Sequence, residues 1–137
     1  MEKTAVVYWS GTGNTKSMAE AIAAAAGADL FTAAEFLGDM VESYKAIAFG
    51  CPSMGSEELE DAEFAPMFES CKPKLSGKKI ALFGSYGWGD GEWMHTWEED
   101  CKASGAELIN DGLIINETPD DEGLEQCRKL GEQLAAA

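Results

Sequence analysis

The chain has 137 residues, 45% of them hydrophobic, and 25 acidic residues against 10 basic ones give it a formal net charge of −15. This length and composition predict one globular domain over residues 1–137. The acidic balance disfavours nucleic acid and anionic membranes as partners, because both would repel the chain. No apolar run approaches the roughly 20 residues that span a bilayer, and the N-terminus leads into a strand rather than a signal peptide. We therefore expect a cytoplasmic monomer.

Apolar runs that end in glycine or serine alternate with helical patterns along the chain. The runs predict five strands, near residues 5–8, 28–31, 45–51, 79–85 and 106–115, the last with a break at 110–112. Apolar residues at helical spacing predict helices over residues 14–26, 63–71, 91–104 and 121–136, and a shorter helical piece over 37–43. Near-continuous apolar strands alternating with helices are typical of an α/β fold in which helices cover both faces of a doubly wound, five-stranded parallel sheet.

The cysteines and the single histidine form no metal or disulfide pattern. Cys51, Cys71, Cys101 and Cys127 are far apart in the sequence, and His95 stands alone. We predict free thiols and no zinc site.

A polar, glycine-rich turn joins the first strand to the first helix. Residues 9–15 offer hydroxyls, backbone N–H groups and the positive end of the helix dipole to one small region, which suits a phosphate. The alternative is an ordinary strand-to-helix connection in which Ser10 or Thr12 caps the helix. The candidate phosphate ligands are Ser10, Gly11, Thr12, Gly13, Asn14 and Thr15.

Two better-known phosphate loops do not fit this turn. The nucleotide P-loop places a lysine before its Ser/Thr, but Asn14 precedes Thr15 here. The dinucleotide fingerprint places a third glycine where Lys16 stands. What remains is a cradle that binds a phosphate monoester through hydrogen bonds.

Two further strand ends should meet this turn, because ligands of doubly wound sheets bind beyond the carboxyl ends of the strands. Residues 51–61 combine a flexible methionine, Met54, with a glycine and a run of acids. In residues 84–93, Trp88 lies between glycines and is placed to stack on a flat ligand. Trp93 and Trp97 are four residues apart on a helix and are predicted core residues. A planar heterocycle that carries a phosphate would suit these loops, and flavin mononucleotide (FMN) has that anatomy.

The three motifs together resemble those of the short-chain flavodoxins. The resemblance rests on residues 8–15, 50–58 and 84–91 and extends over the whole chain, and no long insertion interrupts the fifth strand. It implies a flavodoxin-like sheet with strand order 2-1-3-4-5. It also implies a carrier, without a substrate-transforming activity of its own, that cycles non-covalently bound FMN one electron at a time and shuttles electrons between soluble redox enzymes.

The resemblance further implies roles for single residues. Met54 and Trp88 would cover the two faces of the flavin. Gly55 would present its carbonyl to flavin N5 after reduction, and Glu57 would accept a hydrogen bond from flavin N3. The implied cofactor-binding residues are Ser10, Gly11, Thr12, Gly13, Asn14, Thr15, Pro52, Ser53, Met54, Gly55, Ser56, Glu57, Ser85, Tyr86, Gly87, Trp88, Gly89 and Asp90.

A run of acids lies in and just after the second loop and comprises Glu57, Glu58, Glu60, Asp61 and Glu63. Carboxylates near the flavin oppose the addition of a second electron, so we expect a strongly reducing carrier. The same charges should steer partner proteins with basic docking surfaces toward the flavin. The side chains of Glu60 and Asp61 are expected to point to solvent.

Two other functions remain to be weighed on the same fold. An FMN-dependent reductase would need a pocket above the flavin, where Trp88 is expected, and cations for a nicotinamide phosphate, which the three loops lack. Oxidation of NAD(P)H by the purified holoprotein would distinguish it from a carrier. A phosphorelay receiver needs an aspartate at the end of the third strand, where Gly50 and Cys51 stand.

Overall fold

The computed structural model describes residues 3–11, 13–54, 59–87 and 91–137. The strands are β1 (Thr4–Tyr8), β2 (Asp29–Thr32), β3 (Ala46–Gly50), β4 (Lys79–Tyr86), β5 (Glu107–Leu108) and β6 (Leu113–Asn116). The α-helices are α1 (Asn14–Ala26), α2 (Phe64–Cys71), α3 (Glu92–Ala103) and α4 (Asp121–Ala136). Short 3-10 helices span Ala33–Glu35, Gly38–Ser43 and Lys72–Lys74.

The strands form a parallel sheet in the order β2-β1-β3-β4-β5, and β6 also pairs with β4. β5 pairs with the start of β4 and β6 with its end, so both occupy the same edge of the sheet. Between them the chain leaves the edge, and Gly112 N–H donates to Glu98 Oε2 at 2.7 Å instead of to a strand. The predicted strand order and the break in the fifth strand are confirmed.

Helices cover both faces of the sheet, and the two faces differ in character. α2 and α3 bury large aromatic side chains against one face, including Phe64, Phe68, Trp93 and Trp97. α1 and α4 bury smaller and aliphatic side chains against the other face, including Ala19, Ile22, Leu130 and Leu134. Trp93 and Trp97 are each 2% exposed, which confirms them as core residues.

The segment between α1 and β3 is short but well anchored. Phe36 is buried, and its ring centre lies 5.4 Å from that of Phe31 and 6.5 Å from that of Phe49. Tyr44 donates its hydroxyl to Asp29 Oδ2 at 2.9 Å, and burial together with this carboxylate raises the pKa of Tyr44 to about 12. The predicted helical piece over residues 37–43 is the 3-10 helix Gly38–Ser43.

All four cysteines are buried free thiols, in agreement with the sequence prediction. Burial raises the pKa of each thiol to about 11 or about 12, so they stay protonated at neutral pH. Across the described residues, none of the helices has the length and apolarity needed to cross a bilayer.

Candidate functional site

A cavity of about 520 Å³ opens at the carboxyl ends of the strands, between β1 and β3, where the direction in which successive strands are added to the sheet reverses. Its volume lies within the range of small-molecule sites in proteins. Residues from all three predicted loops line it, namely Trp9, Gly11, Asn14, Pro52, Ser53, Met54, Ser85, Tyr86 and Gly87. The predictions for Thr12, Gly55, Ser56, Glu57, Trp88, Gly89 and Asp90 lie outside the described residues.

α1 begins without an acidic side chain of its own. Its N-cap is Gly13, whose φ of 97° lies in the left-handed region that glycine adopts without strain. The N-cap residue itself makes no side-chain hydrogen bond to the helix, and the first turn holds no acid. The amides of Asn14 and Thr15 belong to the first turn, where N–H groups have no partner within the helix. The helix therefore presents donors and a positive dipole end to an external anion.

The hydroxyl of Ser10 organises this turn. Ser10 Oγ accepts hydrogen bonds from Gly13 N at 3.0 Å and from Lys16 N at 3.2 Å. With two acceptor bonds made, its O–H can still donate outward to a ligand. The side chain of Lys16 does not line the 520 Å³ cavity; Lys16 lines a neighbouring cavity of about 300 Å³ with Trp9 and Glu63.

Thr15 fixes the start of α1 to the end of β4. It is 1% exposed, and its Oγ1 lies 2.9 Å from Ser85 Oγ and 3.4 Å from Ser85 N. The hydroxyl of Thr15 is thus held by the protein, and what Thr15 offers to a ligand is its backbone N–H.

Trp9 forms a wall of the cavity and is held by Glu63, the N-cap residue of α2. Its Nε1–H donates to Glu63 Oε1 at 3.1 Å, while its backbone N–H continues the pairing of β1 with β3 by donating to Gly50 O at 3.0 Å. A Cβ on Gly11 would lie 3.1 Å from the Trp9 ring. A glycine at position 11 therefore lets the indole lie close to the phosphate turn.

The described part of the second loop runs on from β3 along β4. Cys51 N donates to Phe83 O at 3.1 Å and Ser53 N to Ser85 O at 3.0 Å. Trp93, from α3, donates its Nε1–H to Cys51 O at 3.2 Å. These bonds hold residues 51–54, including Met54, beside the cavity.

Glu60 corrects the sequence prediction, since its side chain is buried and not directed to solvent. It is 5% exposed, and its carboxylate accepts hydrogen bonds from the amides of Ala62, Glu63 and Phe64 at 2.7–2.8 Å. Burial acts to raise the pKa of this carboxyl, but the three N–H donors outweigh it and hold the pKa below its ordinary value. The buried group is therefore a carboxylate. Asp61 is exposed, as predicted.

A fourth strand end, not predicted from the sequence, completes the cavity. Glu117 and Thr118 follow β6 and line the same cavity. Glu117 has a φ of 55°, and its N–H donates to Tyr86 O at 2.7 Å. Thr118 donates its hydroxyl to Asn14 Oδ1 at 3.1 Å, which ties this loop to the phosphate turn. Ligands of doubly wound sheets bind beyond the carboxyl ends of the strands, and this rule, applied also to the predicted fifth strand, could have identified Glu117 and Thr118.

A helix N-terminus open to an anion, beside a partly apolar cavity at the switch point of a parallel sheet, is the arrangement of a protein that binds a nucleotide or a flavin nucleotide. The donor set is neutral, so it suits a phosphate held by hydrogen bonds, and Trp9, Met54 and Tyr86 offer apolar surface to a ring. These residues therefore fit FMN.

Comparisons with known proteins agree with this class. The family model described as flavodoxin matches residues 6–131. A flavodoxin of Megasphaera elsdenii is 50% identical over 137 residues, covering 96% of this chain and 98% of the relative, and one of Clostridium beijerinckii is 43% identical, covering 95% and 97%. The solution structure of two-electron reduced Megasphaera elsdenii flavodoxin superposes with a TM-score of 0.87 at 49% identity and covers 98% of this chain and 99% of that one.

The chain belongs to the flavodoxin family. Its cofactor is FMN, and it is an electron-transfer protein that works with redox partner proteins. Flavodoxins carry electrons and do not transform a substrate, so the carrier interpretation holds against the reductase and the phosphorelay receiver.

Proposed function

We propose that this protein is a low-potential one-electron carrier that moves electrons between soluble redox enzymes in the cytoplasm, as a monomeric single domain. The observation that carries the proposal is the open N-terminus of α1, whose first residue, Asn14, lines the cavity together with Trp9 and Met54. FMN, when bound, supplies the group that takes up and releases single electrons.

The phosphate of FMN is assigned to residues 10–15. Ser10 would donate its hydroxyl, and the amides of Gly13, Asn14 and Thr15 would complete the set together with the dipole of α1. The amide of Gly13 already donates to Ser10 Oγ, so it would be shared between this hydroxyl and the phosphate. Thr12 remains a prediction from the sequence.

The flavin ring is assigned to the remainder of the cavity. Pro52, Ser53 and Met54 would line one side, and Ser85, Tyr86 and Gly87 the floor and the opposite side. Glu117 and Thr118 join this set from the structure. Gly55, Ser56 and Glu57, and likewise Trp88, Gly89 and Asp90, remain in the set as sequence predictions.

Negative charge around the cavity supports a low potential. The carboxylate of Glu60 is buried and ionised, Glu63 accepts the indole N–H of Trp9, which lines the cavity, and the whole chain carries −15. Two unit charges about 8 Å apart at an effective dielectric constant of about 20 interact by roughly 2 kcal/mol. Such repulsion disfavours the addition of negative charge to a bound cofactor.

The exposed acids near the cavity favour partners with basic docking surfaces. Asp61 and Glu63 are both exposed and immediately follow the second loop. A basic partner would be steered toward this edge, with fast encounter and weak, salt-sensitive binding.

Absorption spectroscopy of the purified protein, followed by reductive titration, tests the proposal. We expect a yellow protein with one FMN per chain, reduction resolved into two one-electron steps, and a second midpoint potential well below that of free FMN. A colourless protein that does not take up added FMN, or a second potential equal to that of free FMN, would contradict it.

A further inference from the structure

We propose that Glu60 is a positioning residue of the flavin cavity. It fixes the shape of the cavity by linking the second loop to Trp9 of the first loop. This inference rests on the function proposed above. Glu60 itself does not line the cavity, and it would act through Cys51 and Glu63.

The carboxylate of Glu60 builds the first turn of α2. Its Oε1 accepts from Glu63 N at 2.8 Å and from Phe64 N at 2.7 Å, and its Oε2 accepts from Ala62 N at 2.8 Å. These amides precede or open the helix, where no intrahelical partner exists for them. With Glu60 only 5% exposed, water cannot readily replace the carboxylate. The position of Glu63 therefore depends on Glu60.

Glu63 transmits this position to the first loop. Glu63 Oε1 accepts the indole N–H of Trp9 at 3.1 Å, and Trp9 lines the 520 Å³ cavity beside Gly11. The hydrogen bond fixes how the indole is turned about its side-chain torsions. The indole in the cavity wall is thus oriented by the N-cap residue of α2, a helix that follows another strand.

The backbone of Glu60 is tied to the second loop. Glu60 N–H donates to Cys51 Sγ at 3.3 Å, and Glu60 O accepts from Ala65 N at 2.9 Å. Cys51 directly precedes residues 52–54, which line the cavity. Burial raises the pKa of Cys51 to about 12, so it takes part as a neutral thiol. One buried residue thus fastens both ends of the loop that spans residues 52–59.

Equilibrium binding of FMN and of riboflavin to the intact chain tests the inference. Glu60→Ala removes all three acceptor bonds and should weaken FMN by roughly 30-fold, and riboflavin by a similar factor, because none of the three bonds involves residues 10–15, to which the phosphate is assigned. Glu60→Gln can place its amide oxygen at the site of Oε1 and keep two of the three bonds, so it should restore affinity to within roughly fivefold of the wild type. Asp61→Asn, which neutralises the exposed neighbour, should leave both affinities unchanged.

A double-mutant cycle separates positioning from a general loss of stability. Glu63→Ala should weaken FMN by roughly fivefold to tenfold, and Glu60→Ala/Glu63→Ala should be no weaker than Glu60→Ala alone, because both changes release Trp9. Thermal unfolding of each variant shows what fraction is folded under the binding conditions. If Glu60→Ala does not fold, Glu60→Asp, whose shorter side chain cannot reach all three amides, replaces it in the cycle, which should again be less than multiplicative.

The inference would be overturned if the double variant lost FMN affinity by the product of the two single-variant factors. Wild-type affinity in folded Glu60→Ala would overturn it as well. A wild-type chain that binds neither flavin would instead overturn the proposed function. The two failures are therefore distinguishable.

Discussion

The N-termini of α1 and α2 follow neighbouring parallel strands, yet the sequence treats them in opposite ways. α1 begins at a glycine N-cap with no acid in its first turn, and the side chain that accepts from Lys16 N in that turn is the neutral hydroxyl of Ser10. The amides of Ala62, Glu63 and Phe64, which precede and open α2, donate to the buried carboxylate of Glu60. Both helices offer N–H donors and a positive dipole end, so the difference lies in whether the chain supplies its own anion.

This difference separates a binding site from a structural element. At α2 the chain supplies the anion, and the N–H donors bind Glu60 and fix the second loop. At α1 it does not, so the donors remain for a ligand, and the phosphate of FMN is the ligand that we propose. The comparison can be tested by giving α1 an anion and by taking the anion from α2.

The largest effect is expected when α1 receives an anion of its own. Asn14→Asp changes one atom type, and its carboxylate can still accept from the hydroxyl of Thr118. Charges about 5 Å apart at an effective dielectric constant of about 20 repel by roughly 3 kcal/mol per pair, so a doubly charged phosphate should bind at least about 1000-fold more weakly. Riboflavin, without a phosphate, should lose little, as isothermal titration with both flavins would measure.

The matched control for this change is Asn14→Ala, which removes the side chain and adds no charge. It should weaken FMN by only about tenfold, again more than riboflavin. Equal losses of FMN and riboflavin in Asn14→Asp would mean that the phosphate lies elsewhere.

A smaller effect is expected when α2 loses its anion. Glu60→Gln loses one acceptor and the charge, and should lower the free energy of unfolding by about 1–2 kcal/mol at neutral pH. The pKa of Glu60 is lowered in the folded protein, so its contribution is complete above the unfolded pKa of about 4.3 and is lost as the pH falls through the folded value.

Urea unfolding across an acidic pH series measures this dependence. The curves of wild type and Glu60→Gln should converge as the pH falls, whereas Asp61→Asn should follow the wild type. A constant gap between wild type and Glu60→Gln at every pH would show that the charge of Glu60 contributes nothing.

Glu60 also shows where sequence reasoning reaches its limit. In an acidic run such as Glu57 to Glu63, any carboxylate reads as solvated surface, because burying a charge is costly unless donors surround it. The donors are the backbone amides of residues 62–64. The types of the side chains do not indicate that these amides point toward the carboxylate of Glu60. The alternation of strands and helices was predictable because apolar runs and helical spacing are properties of the side chains themselves.

Within the candidate site, the phosphate turn was predictable from the local sequence, whereas the loop of Glu117 and Thr118 after β6 was not. Residues 10–15 were predictable because glycines and hydroxyls at a strand-to-helix junction have a direct chemical meaning. Glu117 and Thr118 carry no motif and reach the cavity only because β6 pairs with the end of β4. Their place follows from the register of the sheet, which local sequence does not determine.

A further prediction concerns how the open terminus of α1 is held in place. Thr15→Val keeps the shape of the buried side chain but removes the hydroxyl that bonds to Ser85, and should lower the free energy of unfolding by about 1 kcal/mol. Urea unfolding would measure the loss, with Thr96→Val, the same change at an exposed threonine of α3, as the control. Wild-type stability of Thr15→Val would show that the bond does not anchor the helix.

The smallest effect is expected on the surface near α2. Asp61→Asn should reduce the rate of electron transfer to a basic acceptor by less than about twofold at low salt and should flatten its salt dependence. Stopped-flow rates across a salt series would show it, because the exposed charge of Asp61 acts on the encounter. The same slope in wild type and variant would assign Asp61 to solubility alone.

Amide-resolved NMR of the intact chain, recorded with FMN and then with riboflavin, tests the central claim most directly. The account predicts that the amides of Asn14 and Thr15 differ strongly between the two complexes, because only FMN brings a phosphate to the N-terminus of α1. The amides of Ala62, Glu63 and Phe64 should be the same in both, since Glu60 already occupies them. Phosphate-dependent shifts at the start of α2, or none at the start of α1, would contradict the account.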